Sequence, residues 1–354
     1  MCGFCGLLTS ESHENLTERL TRMVATLAHR GPDAEGRFIG DGVALGHRRL
    51  SILDLSETGA QPMTFGARAT TIAYNGEAYN FRELRQQLES EDRVFRGQSD
   101  TEVLLQAYDA WGLGGLRRIE GMFAFALWDS SRRRLLLMRD RLGIKPLFYA
   151  WSGNGLAFGS EIKAVLAAGG VDRTLDEQAL SEYLWYGNAF EDRTIYRAIR
   201  SLPPGHWLIV ENGKVRIEPW WRLEEWLERS PGPCDAREAA ARVRNAVDAA
   251  VARQLVSDVP VGIFLSGGVD SSVVAASAVR ALGRPMASYS VGFDFDRGVN
   301  ELPKAQRVAT NLGLDHHELH VSGEHLEDVL VQLVRAQDEP FADAANIPLY
   351  LLAI

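Results

Sequence analysis

The sequence predicts two folds in one chain: an α+β first half and a parallel α/β second half. Three observations carry this. Through about residue 210, apolar and aromatic strand segments come in runs, with helical patterns between the runs, which implies stacked sheets covered by helices. Residues 221–235, "WRLEEWLERSPGPCD", then hold the breaker cluster "SPGP". Beyond it strands and helices alternate, the order that builds a parallel sheet.

In chain order, residues 14–28 put Leu16, Leu20, Met23, Val24 and Leu27 on one helical face. Strands are expected at 42–53, 69–79, 121–129, 134–140 and 146–151, where apolar runs are bounded by turn residues. Helices are expected at 81–90 and 101–112. In the second half, an alanine-rich helix begins at 236. Strands follow at 261–266, 286–293 and 315–321, with helices at 271–282, 301–313 and 324–336. The expected domains are 1–212 and 236–354, joined by a linker at 213–235. The closing run "NIPLYLLAI" has no helix cap, so the chain is expected to stop inside an element, leaving the second domain incomplete.

Composition narrows the function. With 46% hydrophobic and 24% charged residues, the chain reads as an ordinary globular protein. A net charge of −9 argues against nucleic acid as the main partner. No stretch reaches the ~18 unbroken apolar residues of a membrane span, so no membrane partner is expected. No secretory signal precedes the first strand, and three cysteines, an odd number, fit a reducing compartment; a cytoplasmic location is expected.

"FLSGGVDSS" (264–272) joins an apolar strand to a helix through glycines, the geometry of an anion site. Asp270 would repel phosphate unless a cation lies between them, so a Mg²⁺ ligand is its natural role. A tight strand-to-helix turn with Ser271 as N-cap is the plainer reading. No Gly-Lys-Ser/Thr is present, so this is not a Walker loop. The string resembles the PP-loop of ATP pyrophosphatases, which implies a Rossmann-like domain that binds ATP. By that resemblance Ser266, Gly267, Gly268, Ser271 and Ser272 would face phosphates, and Leu265 and Val291 the adenine.

In the first half, "MCGFCGLL", "AHRGPDAEG" (28–36), "HRRLSILD" (47–54), "YNGEAYNF" (74–81), "GQSDTEV" (97–103) and "RDRLGIKPLFY" (139–149) occur in one order. This pattern resembles the glutaminase domain of class II glutamine amidotransferases. With the PP-loop after it, the chain is similar to the glutamine-hydrolysing asparagine synthetases, shortened at the C-terminus. The resemblance implies a four-layer αββα sandwich of the N-terminal nucleophile type. It also implies glutamine, aspartate and ATP as substrates, ATP and Mg²⁺ at the second domain, and room for a homodimer.

It further implies roles. Cys2 would be the nucleophile once Met1 is removed, its own α-amino group serving as base, since such groups titrate near neutral pH. Asn75 and Gly76 would form the oxyanion hole, although Asn-Gly is equally a hairpin turn. Arg49 would clamp the α-carboxylate of glutamine. Leu50, Ser51, Ile52, Leu53 and Glu77 would complete the pocket. Asp100 would bind the α-ammonium, with Ser99 capping the following helix. The 28–36 loop is expected to support the site without taking part in catalysis. Asp338, Glu339 and Asp343 would lie near the acceptor, or else cap loops.

A second ATP loop of the S-G-E-G-x-D-E kind is not found before Ile354, so glutamine hydrolysis alone is expected of this chain. Competing readings remain: a relative that amidates another carboxylate, a silent glutamine- or nucleotide-binding regulator, or a metal or redox pair made by Cys2 and Cys5.

Overall fold

The computed structural model describes residues 1–353 except 67–68, 154, 228–231, 233, 294–299, 322–325 and 344. The chain divides into two compact units, the first comprising Met1–Arg229 with Asp338–Pro340, the second the remainder.

The first unit runs β1 (Gly3–Leu8), α1 (His13–Ala25), β2 (Ala34–Ile39), β3 (Val43–Arg49), β4 (Met63–Phe65), β5 (Thr70–Ala78), α2 (Phe81–Ser90), α3 (Asp100–Trp111) and α4 (Leu113–Leu116). It continues through β6 (Gly121–Asp129), β7 (Arg134–Arg139), β8 (Phe148–Ser152), β9 (Gly155–Gly159), α5 (Ile162–Ala167), α6 (Glu177–Tyr186), β10 (Ile199–Ser201), β11 (His206–Glu211), β12 (Lys214–Pro219) and α7 (Glu224–Leu227). Two six-stranded antiparallel sheets result, ordered β10-β8-β9-β1-β3-β2 and β12-β11-β7-β6-β5-β4. Phe4, Val43, Leu45 and Phe158 of one sheet share a core with Ala73, Ala126, Leu137 and Leu208 of the other. A second core packs α1 and α5 on the outer face of the first sheet through Leu20, Val24, Ile162 and Val165. Val103, Leu104 and Ala107 of α3 are buried. With α3 covering the second sheet, the layers are helix, sheet, sheet, helix, as the family resemblance implies. Residues 214–219, expected in a linker, pair with β11 from His206↔Pro219 to Glu211↔Lys214 and form the edge of the second sheet.

Asp338 and Glu339 belong to this unit. Asp338 accepts the Lys163 amide at 2.9 Å, and Glu339 that of Ile195 at 3.1 Å.

The second unit holds α8 (Ala236–Gln254), β13 (Gly262–Phe264), α9 (Val269–Leu282), β14 (Ala287–Phe293), α10 (Leu302–Leu312), β15 (Asp315–Val321), α11 (Leu326–Gln337) and α12 (Asn346–Ala353). Its sheet is parallel, ordered β13-β14-β15. Leu265, Ala275, Ala305 and Ala309 form its core. Among the described residues no helix is long and apolar enough to cross a membrane.

Candidate active site

Strand β1 pairs with β3 so that Gly3 lies opposite Arg48. Cys2 and the residues after Arg48 therefore meet where the ladder ends. The Cys2 thiol donates to the Leu50 carbonyl at 3.4 Å, and the Leu50 amide donates to Cys2 Sγ at 3.3 Å. Arg30 Nε–H donates to the Cys2 carbonyl at 2.9 Å, and Glu161 holds Arg30 at 2.9 Å. Gly31 lets the same loop lie against the end of β3: a Cβ there would lie 2.3 Å from the Arg48 carbonyl carbon.

Cys2, Arg49, Leu50, Ile52, Leu53, Asn75, Gly76, Glu77 and Asp100 line one cavity of about 120 Å³, together with Met1, Gln61, Tyr74 and Lys145. Ser51 is not in its wall; its amide donates to Asp33 Oδ2 at 2.7 Å, fastening this loop to the 28–36 loop. Arg49 faces the cavity, whereas Arg48 turns away to pair with Glu35 at 2.5 Å. The buried Arg49 guanidinium is wrapped by carbonyls. It donates to Ser56 O at 2.9 Å, to Leu53 O at 3.4 Å and to Asp54 O.

Asn75 and Gly76 lie inside β5, paired across to Ala124 and Phe123, so they are not a hairpin turn. Asn75 is 1% exposed and its Nδ2 has no hydrogen-bond partner. An idle buried amide donor costs ~1–3 kcal/mol. At position 76 a Cβ would stand 2.4 Å from the Met122 carbonyl, so only glycine fits. Asp100 opens α3, and Ser99 caps it through the Glu102 amide at 3.3 Å. Asp100 Oδ2 accepts from the Tyr74 hydroxyl and the Ala78 amide, both at 2.9 Å.

The charges are strained by burial. It pushes the Asp100 carboxyl up against the pull of its hydrogen bonds. Burial, with Asp100 nearby, raises Glu77 to about 8. Burial also raises the Cys2 thiol, opposed by the Leu50 amide. The Met1 amine is pushed down by burial and by Arg30, which favours an uncharged amine beside the thiol. Lys145, which the sequence reading passed over, is buried in the cavity wall with Nζ 3.0 Å from Met1 Sδ. It stands in the string "RDRLGIKPLFY" and is one of only four lysines in this arginine-rich chain. Cys5 lies in the core between β1 and α1, and burial drives its thiol far up.

In the second unit α9 starts at Val269 with Gly268 as N-cap, so Ser271 sits in the first turn and is not the cap. Gly267 has φ +74°, and a Cβ there would lie 2.6 Å from the Ala305 nitrogen. Ser266 Oγ meets Ser271 Oγ at 3.0 Å and accepts the Gly268 amide at 3.3 Å; Ser272 Oγ donates to Gly268 O at 2.6 Å. Leu265, Ser266 and Val291 line a cavity of about 290 Å³ with Tyr289 and Pro348. Gly267, Gly268, Asp270, Ser271 and Ser272 stand outside its wall, at the helix start. These residues fit a phosphate, since the first amides of a helix lack acceptors within it. Among the described residues no group of three His, Cys, Asp or Glu side chains could hold a metal. The exposed Asp270 carboxylate therefore suits Mg²⁺ only as one ligand beside phosphate oxygens, the way this ion often binds. His316 bonds Ser288 at 2.9 Å and His317 stacks on Tyr289.

A family profile described as "Glutamine amidotransferase domain" matches residues 1–221, and one described as "Asparagine synthase" matches 242–354. The chain belongs to the glutamine-hydrolysing asparagine synthetase family. Within that family it is similar to putative asparagine synthetase [glutamine-hydrolyzing] 2 of Methanocaldococcus jannaschii, 32% identical over 99% of this chain and 70% of that protein. Asparagine synthetase [glutamine-hydrolyzing] 3 of Bacillus subtilis is 36% identical over 96% of this chain and 57% of its own length. The chain thus spans little more than half of that synthetase. "Amidase chry2" of Gibberella zeae is 34% identical over 92% of the chain and 52% of the amidase.

Proposed function

We propose that the first unit hydrolyses the side-chain amide of glutamine at Cys2, and that the ammonia amidates an aspartate carboxylate activated with ATP. The observation that carries this reading is the convergence on one cavity of the Cys2 thiol and the buried, unpartnered Asn75 amide. In this reading removal of Met1 frees the α-amino group of Cys2, which takes the thiol proton. The sulfur attacks the amide carbon of glutamine. The resulting oxyanion accepts from Asn75 Nδ2 and the Gly76 amide, which stabilises charge only where it develops. The amide nitrogen takes the proton and leaves as ammonia. Water cleaves the thioester, releasing glutamate and restoring the thiol. Arg49 faces the α-carboxylate, Asp100 the α-ammonium, and Glu77 with the 50–53 loop encloses the rest.

In the second unit Ser266, Gly267, Gly268, Ser271 and Ser272 would face the phosphates of ATP, and Leu265 and Val291 its base. Asp270 would hold Mg²⁺, which neutralises phosphate charge when bound. The activated acceptor in this reading is the β-aspartyl adenylate. A second reading keeps the glutaminase and changes the acceptor carboxylate; likeness to an amidase supports it. ATP–pyrophosphate exchange across a panel of carboxylates separates the two.

Every residue assigned to glutamine hydrolysis lies in the first unit. These 354 residues are therefore expected to release glutamate by themselves, once mass spectrometry has confirmed loss of Met1. Cys2→Ser should abolish the activity and Cys5→Ala should leave it nearly intact. Equal losses would restore the cysteine-pair reading.

A further inference from the structure

We propose that Asp54 is a positioning residue, holding Arg49 and the start of α3 at the separation that an α-amino acid requires. The inference rests on the glutamine-binding reading above. Arg49 ends β3 and Asp100 begins α3, so no shared hydrogen-bond ladder sets the distance between them. Asp54 touches both sides. Its carbonyl accepts from Arg49 Nη2. Its buried carboxylate accepts from the Ser56 amide at 3.2 Å and hydroxyl at 2.5 Å through Oδ1. Through Oδ2 it accepts from Thr58 Oγ1 and from the Gln98 amide, both at 2.8 Å, two residues before Asp100.

The bracket is built tightly. Ser56, one of its donors, also presents its carbonyl to Arg49 at 2.9 Å. A Cβ on Gly97 would fall 2.6 Å from Asp54 Oδ2, and one on Gly59 would fall 2.1 Å from Arg49 Nη2. Asp54 itself sits at φ +53°, a left-handed conformation few non-glycine residues adopt. The donors hold its carboxyl ionised, at about 2, despite the cost of burial. A free acid or an amide in its place could not accept from all of these donors at once.

The test measures glutamine Kd by calorimetry in a Cys2→Ala background, and KM and kcat in the otherwise native chain. Asp54→Asn should weaken glutamine binding roughly tenfold, the effect of losing one charge-assisted hydrogen bond. The value of kcat should stay within about threefold, because Cys2 and Asn75 are held by other contacts. Thr58→Val, which removes a single donor, should shift KM the same way and less. The Asp54→Asn loss should be non-additive with Arg49→Lys and with Asp100→Asn. A folded Asp54→Asn chain with wild-type Kd would overturn the proposal, as would losses that multiply independently with both partners. If Asp54→Asn does not fold, an unchanged Kd in Thr58→Val does the same. A wild-type chain that binds glutamine without hydrolysing it would sink the glutaminase reading and leave the bracket standing.

Discussion

Replacing Asn75 with Ala should separate activity from stability. The side chain is 1% exposed and its Nδ2 donates to nothing, so the resting protein carries its desolvation without return. That penalty is ~1–3 kcal/mol, and deleting the amide relieves part of it while leaving a small void. The net change should stay within about 1 kcal/mol, which moves Tm by no more than ~2–4 °C in a unit of this size. Losing an oxyanion donor, in contrast, costs ~2.7–4 kcal/mol, or about 10²–10³ in kcat. Steady-state glutamate release and thermal unfolding of the same samples test both halves. A kcat loss under about tenfold would remove Asn75 from the oxyanion hole. A large fall in Tm alongside the lost activity would make the residue structural, and the reasoning would fail.

Glu77 makes a pH prediction. Its folded carboxyl titrates at about 8, above the ordinary value of 4.5, because it is buried near Asp100. The folded state therefore keeps a proton that the unfolded state releases. The associated stability is fully present below pH 4.5 and is lost as pH rises to about 8. Glu77→Gln should unfold at higher temperature than wild type, with the gap opening across that window; a gap constant with pH would refute it. In the second unit, Gly267→Ala places a Cβ 2.6 Å from the Ala305 nitrogen at φ +74°. It should destabilise that unit by ~1–3 kcal/mol and weaken ATP binding, seen by calorimetry, with glutamate release unchanged.

The central strands β6 and β7 were legible because both their faces are apolar, and β5 because Ile72, Ala73 and Tyr74 follow two threonines, all strand-compatible residue types. The three-residue strands β4 and β10 carry no period to detect. Strand β12 was hidden because Lys214–Pro219 is largely exposed and takes its order from β11. Asn75-Gly76 was ambiguous in sequence between a turn and a site, and only the pairing of β5 with β6 removes the turn. The residues assigned to glutamine from motif strings meet in one cavity, except Ser51. What the strings could not show were contacts made at long range. Asp54 meets Gln98, and Arg30 holds the Cys2 carbonyl, through loops whose sequences look like ordinary turns.

The placement of β1 between β3 and β9 has a consequence for how the protein is made. Cys5 must pair with Gly46 on one side and Gly159 on the other. During vectorial synthesis, β1 waits as an unpaired strand edge until β3 emerges, and stays open on its far side until β9 follows. Such long-range closure is slow, and it exposes apolar strand to misassociation meanwhile. Cys2, the proposed nucleophile, thus leaves the ribosome well before the strands that will fix it. Its seat is completed only when more than a hundred further residues have been added, so a stalled chain of this family should carry a cysteine with no working pocket around it.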